Sequence, residues 1–349
     1  MTWVARAHHR TTVRAAGISL RFRGRTLVVG AVLCGLVIAT AVAGLSIGDV
    51  TVNVLALATG NIDASDRYII VELRAPRVAW AILVGYAFGL SGSLFQNVTR
   101  NALGSPDILG IVSGSATGAL IAMTIARAPG SVVGLWALAG AVGAAALLIG
   151  ASVVLRVGMT ALIIAGIGLS LLLGAINSWL LIRAPDDLSF AAGRWLIGTL
   201  EYASWNGLGR GFTVLVILSV LFAATSRWVP LFGFTDDQNL ALGAPVTMMN
   251  LSLVGFGLAF VAVAVWAIGP VALLAFAAPQ AARLLVGSPT PPFYLSGLMG
   301  AFLMLAADLS ARGILGGSTL PVGTVVLIIG GGFLFWLVVF RSEFLRSQG

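Results

Sequence analysis

Stretches of about twenty consecutive apolar residues recur along the whole chain, and this pattern constrains the fold more than any other feature. Each stretch is long enough to cross the ~30 Å hydrocarbon core of a bilayer as a helix. An outer-membrane barrel would instead show alternating strands of about ten residues. Only 9% of the 349 residues are charged while 59% are hydrophobic, which excludes a soluble domain of this length. The sequence therefore predicts an all-α polytopic membrane protein.

Ten apolar segments can be delimited, and they predict about ten transmembrane helices. Their ranges are 27–47, 78–97, 108–126, 131–155, 161–183, 211–229, 248–268, 270–287, 295–312 and 321–340. The eighth segment opens at Pro270 and contains Pro279, so we expect a short or broken helix there. Residues 184–210 are amphipathic and are expected to lie in the membrane interface without crossing it.

Charge distribution predicts how the chain is oriented. Residues 1–26 contain six arginines and no acid, which is typical of a basic cytoplasmic tail. With ten spans, residues 27–341 form a single transmembrane domain, and residues 342–349 form a cytoplasmic C-terminal tail. Twelve of the twenty arginines then face inward with a net charge of +8, whereas the outer side is neutral. This orientation agrees with the positive-inside rule.

Missing residue types exclude several functions. The chain has no lysine, so it cannot carry a standard ATP-binding P-loop. Both histidines, His8 and His9, lie in the N-terminal tail, and we therefore expect no metal site and no histidine base in the membrane. An intramembrane enzyme is disfavoured because nothing there could activate a serine. An ion-coupled secondary transporter would need ionisable groups near the bilayer midplane, but Asp308, the main candidate, lies close to a helix end.

Two arginines, Arg74 and Arg77, stand in the stretch VELRAPR directly before an apolar helix, and the predicted topology places them on the outer side. Arg312, in ADLSARG, reaches the same side. These side chains could extend to lipid headgroups or pair with Glu72 and Asp308. Alternatively, they could dock a soluble partner that presents carboxylates, since arginine binds carboxylates through two parallel hydrogen bonds.

A long stretch from residue 71 onward, VELRAPRVAWAILVGYAFGLSGSLFQNVTRNALGSPDILGIVSG, resembles the signature of the FecCD family. Further matches are LIIAGIGLSLLLGAINSWLLI, WLIGTLEYASW, GPVALLAFAAPQAARLLVG and AADLSARGILGGSTLPVGTVVLIIGG. They follow in order over nearly the whole chain from about residue 27. One departure is Gln280, where the family commonly has histidine in a PH-x-x-R pattern.

The resemblance implies the permease subunit of a type II ABC importer in a bacterial inner or plasma membrane, with both termini cytoplasmic. The expected substrate is a ferric siderophore of the catecholate, enterobactin-like type, with vitamin B12 or haem as alternatives. Expected partners are a second permease subunit, homologous or identical, two copies of an ABC ATPase, and a soluble or lipoprotein substrate-binding protein. Besides these, only membrane lipid is expected to contact the chain, and no nucleic acid. ATP and magnesium would bind to the ATPase, so this chain itself needs no cofactor.

The resemblance also assigns roles to particular residues. It implies that Arg74, Arg77 and Arg312 receive glutamates of the binding protein. In PLFGFTDDQNLALGAPVTMMN, acidic residues could begin a short helix and a glycine could end it, although an ordinary cytoplasmic loop would look similar. The resemblance makes this segment the helix that contacts the ATPase, with Asp236, Asp237, Gln238, Leu240, Leu242 and Gly243 as its candidate residues. The cytoplasmic gate is expected at Asn101, Leu103, Met159 and Thr160, and turn formation would explain part of that pattern.

Polar residues within the apolar segments are few. Asn177 and Ser178 on the fifth segment are candidates to line the transport pathway, but each could equally form an interhelical hydrogen bond.

Glycines recur at four-residue spacing, as at Gly85 and Gly89 and again at Gly110, Gly114 and Gly118. Such spacing predicts helix surfaces along which two backbones approach closely.

Overall fold

The protein is described by a computed structural model that covers most of the chain. It describes residues 10–15, 18–48, 50–54, 56, 62–155, 159–201, 203–225, 231, 236–313 and 320–340. The expected C-terminal tail, residues 342–349, lies outside the described residues.

The described residues are predominantly helical. In chain order the helices are α1 (Gly24–Ser46), α2 (Ala64–Tyr68), α3 (Ala75–Thr99), α4 (Ile111–Leu120), α5 (Gly130–Leu155), α6 (Met159–Arg183), α7 (Asp186–Ile197), α8 (Leu208–Ala224), α9 (Asp236–Ala241), α10 (Val246–Ile268), α11 (Leu274–Val286), α12 (Phe293–Gly313) and α13 (Val322–Phe340). A π-helical stretch, Ile69–Arg74, joins α2 to α3, and a second one, Ile121–Ile125, extends α4. A short 3₁₀ helix, Pro106–Leu109, precedes α4.

Seven helices in the described part of the chain are long and apolar enough to cross a membrane. They are Gly24–Ser46, Ala64–Thr99, Val132–Ala151, Ile164–Arg183, Val246–Ile268, Phe293–Arg312 and Val322–Phe340. Three shorter apolar helices occupy the remaining predicted segments, namely Ile111–Ile125, Leu208–Ala224 and Leu274–Val286. Every predicted segment therefore contains an apolar helix, but the count of ten crossing helices stays a prediction.

Two regions behave as their composition predicted. The eighth segment gives α11, a helix of 13 residues that contains Pro279. Residues 184–210 contain α7, whose 12 residues are too short to span the hydrocarbon core.

A β-hairpin, which was not predicted from the sequence, precedes α1. Strands β1 (Arg10–Ala15) and β2 (Ile18–Arg23) pair antiparallel, with Arg10 opposite Arg23. Threonine, valine, isoleucine and phenylalanine in RTTVRA and ISLRFR are good strand formers, which explains this local structure. The hairpin lies in the N-terminal tail, so the all-α class predicted for the membrane domain stands, and α1 starts at Gly24 rather than at residue 27.

Helix α3 forms the centre of the fold, because most of its residues are buried and α10, α11 and α12 pack around it. It runs antiparallel to α12 with almost no space between the two backbones. A Cβ atom added at Gly85 would overlap the carbonyl oxygen of Gly300, and one added at Gly89 would overlap that of Ser296. The predicted glycine surface on α3 is thus confirmed as a contact between helix backbones.

A second antiparallel pair, α4 with α5, is built in the same way. A Cβ atom at Gly114 would come within 2.7 Å of the Gly140 carbonyl oxygen, and one at Gly118 would overlap that of Trp136. Close backbone contact lets the two helices gain dispersion energy where apolar lipid offers no hydrophobic driving force.

We predict that Gly89→Ala destabilises the protein, because the new methyl group has no room against the backbone of α12 and must push the helices apart. Overpacking of this kind typically costs about 1–3 kcal/mol. The matched control is Gly143→Ala on α5, where a Cβ meets nothing within 4 Å and alanine favours the helix. Thermal unfolding of the purified protein should give a lower midpoint for Gly89→Ala only. Equal midpoints for the two variants would contradict the close contact.

Candidate functional sites

Arg74 ends the π-helical stretch before α3, and its side chain is buried, with 7% of its surface exposed. Its guanidinium donates hydrogen bonds to the backbone carbonyls of Leu45, Ser46 and Val50. The first two carbonyls belong to the last turn of α1, where a helix leaves its carbonyl groups without partners. Arg74 therefore holds the end of α1 against the start of α3.

Asp308 on α12 is completely buried and lies between two arginines. Its Oδ1 accepts a hydrogen bond from Arg77 Nε at 2.7 Å, and its Oδ2 accepts one from Arg312 Nη2 at 2.6 Å. Arg312 also donates to the carbonyl of Gly44 at 3.2 Å, so it too binds the end of α1. We call Arg74, Arg77, Arg312 and Asp308 the arginine cluster.

Helix packing explains how the cluster forms. In the antiparallel pair, Gly85 faces Gly300 and Gly89 faces Ser296, and the same register brings Arg77 opposite Asp308. Arg312 follows Asp308 by one helical turn and reaches the same carboxylate. Pairing with Asp308, which the sequence left open beside lipid headgroups and docking, is confirmed for Arg77 and Arg312. Because the cluster contains three arginines and one acid, it retains a net positive charge, and docking stays a prediction.

The predicted short helix between the sixth and seventh segments is present as α9. Gly243 follows it with a φ of +73°, and its N–H donates to the carbonyl of Leu240 at 2.9 Å. The side chains of Asp237, Gln238, Leu240 and Leu242 are exposed, whereas Asn239 is buried and donates to the carbonyl of Leu231. The Asp236 side chain lies outside the described residues. Two large exposed leucines beside polar groups are suited to a protein contact.

The candidate gate loop follows the C-terminal end of α3, about 37 Å along that helix from its start. Asn101 Oδ1 accepts a hydrogen bond from the Leu103 N–H at 2.9 Å, and both side chains are exposed. Met159 and Thr160 begin α6, but their side chains lie outside the described residues.

A buried glutamine pair supports this loop. Gln280 Nε2 donates to Gln96 Oε1 at 2.7 Å and to the Ala102 carbonyl at 3.2 Å, while Gln96 donates to the Phe276 carbonyl. Gln280 is completely buried, so this network fixes the gate loop to α3 and α11. In the sequence, Gln280 is distinguished only by its departure from the family pattern, so its structural role was not predicted.

The two pathway candidates have different surroundings. Asn177 is buried and connects α6 to α4, since it donates to the Ser113 carbonyl at 3.1 Å and accepts a hydrogen bond from Thr117 at 2.7 Å. The interhelical alternative is therefore what the structure contains at this position. Ser178 is exposed and donates to the Gly174 carbonyl of its own helix. Of the two, only Ser178 lies on an exposed face of α6.

Asp107, in the 3₁₀ helix after the gate loop, was not among the predicted site residues. Its Oδ2 accepts a hydrogen bond from the N–H of Leu273, a residue held at a φ of +62° directly before α11. Burial raises the pKa of the Asp107 carboxyl to about 6, although hydrogen bonds from Ser105 and Leu273 act in the opposite direction. Asp107 thus joins the segment after the gate loop to the start of α11.

Three comparisons relate the chain to known proteins. The sequence profile of the FecCD transport family matches residues 35–340. The ferric enterobactin transport system permease protein FepG of Escherichia coli (strain K12) is 32% identical over 322 residues, covering 91% of this chain and 98% of that protein. The Fe(3+)-citrate import system permease protein YfmE of Bacillus subtilis (strain 168) is 29% identical over 329 residues, covering 93% and 98%.

The fold also matches a solved structure. A chain described as a metal-chelate type ABC transporter in an inward-facing conformation superposes with a TM-score of 0.80 at 26% identity. The match covers 90% of this chain and 99% of that chain.

We predict that Asp107 makes stability depend on pH. The folded state raises the pKa of this carboxyl, so it binds the proton more tightly than the unfolded chain does, and stability falls as pH rises from about 4 to about 6. Above that range the Asp107 carboxyl is ionised in both the folded and the unfolded state, so stability no longer changes with pH through this group. Asp107→Asn should abolish this decrease, whereas Asp186→Asn, at an exposed position, should keep it. Unfolding midpoints measured across this range would test it, and parallel curves for wild type and Asp107→Asn would contradict it.

Proposed function

The chain belongs to the FecCD transport family, and we propose that it is the permease subunit through which an ABC importer carries a ferric siderophore across the bacterial plasma membrane. The observation that carries this proposal is the family match over residues 35–340, which includes nearly all the apolar helices. The FepG and YfmE relatives are named as permeases for iron complexes, and the chain covers 98% of each.

We further assign the substrate to the catecholate class. Support comes from the 32% identity with a ferric enterobactin permease. The described residues of the membrane helices offer few charged groups that could hold an anionic chelate tightly. This suits an importer whose binding protein supplies most of the affinity.

Transport would be driven by ATP hydrolysis in a separate subunit, because the chain has no P-loop lysine. Helix α9 is the proposed contact, since Leu240 and Leu242 are 61% and 64% exposed at the end of a short helix. A second permease subunit, homologous or identical, would cover apolar side chains that α6 leaves exposed, such as Leu171 and Leu172. Both termini are proposed to be cytoplasmic.

The arginine cluster is the proposed docking surface for the substrate-binding protein. Arg77 and Arg312 are partly exposed and combine with Asp308 into a unit of net charge +1. Arg74 is buried against backbone carbonyls, which gives it a supporting role beneath that surface. At the other end of α3, the Asn101–Leu103 loop with Met159 and Thr160 is the proposed cytoplasmic gate.

We predict that uptake of radiolabelled iron from a catecholate siderophore is lost when the gene is deleted and restored by the wild-type chain. Leu240→Ser should restore an iron uptake roughly an order of magnitude lower than the wild-type chain does, because the substitution removes an apolar anchor of the proposed ATPase contact. Leu285→Ser, at another exposed leucine, is the matched control and should restore normal uptake at equal protein level. If the deletion abolished cobalamin or haem uptake and left iron uptake intact, the family assignment would stand and the proposed substrate would be wrong.

We predict opposite effects for the same substitution at the two neighbouring arginines. Arg77→Lys keeps a charge beside Asp308 but loses the planar fork, so binding-protein affinity should fall about tenfold with little change in stability. Arg74→Lys cannot reach all of the carbonyls at the end of α1, so the unfolding midpoint should fall while affinity changes little. Affinity titrations and thermal unfolding of both variants in the assembled complex test this. If Arg74→Lys instead lowered the affinity and Arg77→Lys lowered the unfolding midpoint, Arg74 would be the docking residue and Arg77 the structural one.

A further inference from the structure

We propose that Asp308 is a positioning residue of the docking surface, which holds Arg77 and Arg312 in the orientation that receives the carboxylates of the binding protein. This inference rests on the docking role proposed above. Asp308 cannot itself touch a partner protein, because its side chain is completely buried. Any effect of Asp308 on docking must therefore act through the two arginines that it contacts.

The carboxylate is well suited to this role because both of its oxygens are occupied. Oδ1 binds Arg77 and Oδ2 binds Arg312, so a single buried group determines the separation of two guanidinium groups that belong to different helices. A buried carboxylate is stable only with such partners, since an unpaired charge loses its hydration when it is removed from water. The pairing is therefore obligatory in the folded protein.

Arg77 presents one edge of its guanidinium group to the outside. Its Nε atom is bound to Asp308, while its Nη atoms have no hydrogen-bond partner among the described residues, and the side chain is 21% exposed. The group is planar, so fixing Nε also fixes the direction in which the two Nη atoms point. A second carboxylate can then bind along the Nη edge while Asp308 keeps its own hydrogen bond.

Fixing the side chain beforehand lowers the entropic cost of docking. Ordering a flexible side chain at an interface has an entropic cost, and Asp308 removes this cost from Arg77 before the partner arrives. The opposing effect is electrostatic, because Asp308 cancels one positive charge of a surface that must attract carboxylates. The sign of the Asp308→Asn effect therefore separates a positioning role from simple charge neutralisation.

The experiment measures binding of the substrate-binding protein to the complete importer, reconstituted in lipid nanodiscs, for wild type, Asp308→Asn and Asp308→Glu. If Asp308 positions the arginines, Asp308→Asn should weaken binding about tenfold although the surface becomes more positive. Asp308→Glu keeps both ion pairs but moves the guanidinium groups outward, and should give an intermediate loss. Glu201→Gln, which breaks the Arg194–Glu201 ion pair outside the cluster, is the control and should bind normally.

A double-mutant cycle with Arg77→Lys gives a readout that general instability would not produce. If Asp308 acts through Arg77, the effect of Arg77→Lys should be much smaller in the Asp308→Asn background than in wild type. Tighter binding by Asp308→Asn, or fully additive effects, would overturn the proposal. If Asp308→Asn does not assemble, normal binding by Asp308→Glu would overturn it.

The two proposals can fail separately. Iron uptake that depends on this chain, combined with unchanged docking in both Asp308 variants, would reject the positioning role alone. Uptake that does not depend on the chain would instead reject the proposed transport function, whatever the Asp308 variants do.

Discussion

A charged group beside hydrocarbon is stable only where the protein itself supplies its hydrogen bonds, and the start of α3 depends on this constraint. Arg74 donates hydrogen bonds to the last carbonyl groups of α1, and Arg77 and Arg312 both form ion pairs with Asp308. The same contacts that satisfy these charges also join α1, α3 and α12 at one end. The proposed docking surface and the helix packing therefore depend on the same cluster, and a change to its ion pairs affects the packing as well.

Helix α3 connects the two ends of the molecule at which the candidate sites lie. Its first turn carries Arg77, one member of the arginine cluster, and the loop after its last turn is held by the Gln96–Gln280 pair. Between them, glycine contacts bring α12 against it at backbone distance. Because tightly packed interiors have low compressibility, a displacement at one end of such a helix is passed on to its other end. The proposed docking surface and the proposed cytoplasmic gate are thus both attached to the same rigid helix.

Much of this arrangement could be predicted from local sequence. Apolar segments gave the helices, four-residue glycine spacing gave the close contacts, and the acid-to-glycine pattern of residues 236–243 gave α9. Periodicity identifies which residues share a face, but it does not identify the partner of that face. The structural role of Arg74 and the Gln96–Gln280 pair therefore could not be predicted, because each contact joins residues far apart in sequence. The β-hairpin was missed because its arginine content resembled that of an unstructured tail.

The Arg77–Asp308 pair has a consequence for how the protein is made. The two residues are 231 positions apart, and a ribosome adds about 5–20 residues per second, so roughly 10–50 seconds pass between their synthesis. During that interval α3 must reside in the membrane with Arg77 lacking its counter-charge. A guanidinium at the edge of an apolar segment, as Arg77 is directly before residues 78–97, can lie among lipid headgroups, whereas one at the middle of the segment could not. The position of Arg77 thus also satisfies a demand of membrane insertion, which begins long before the folded protein and its proposed docking surface exist.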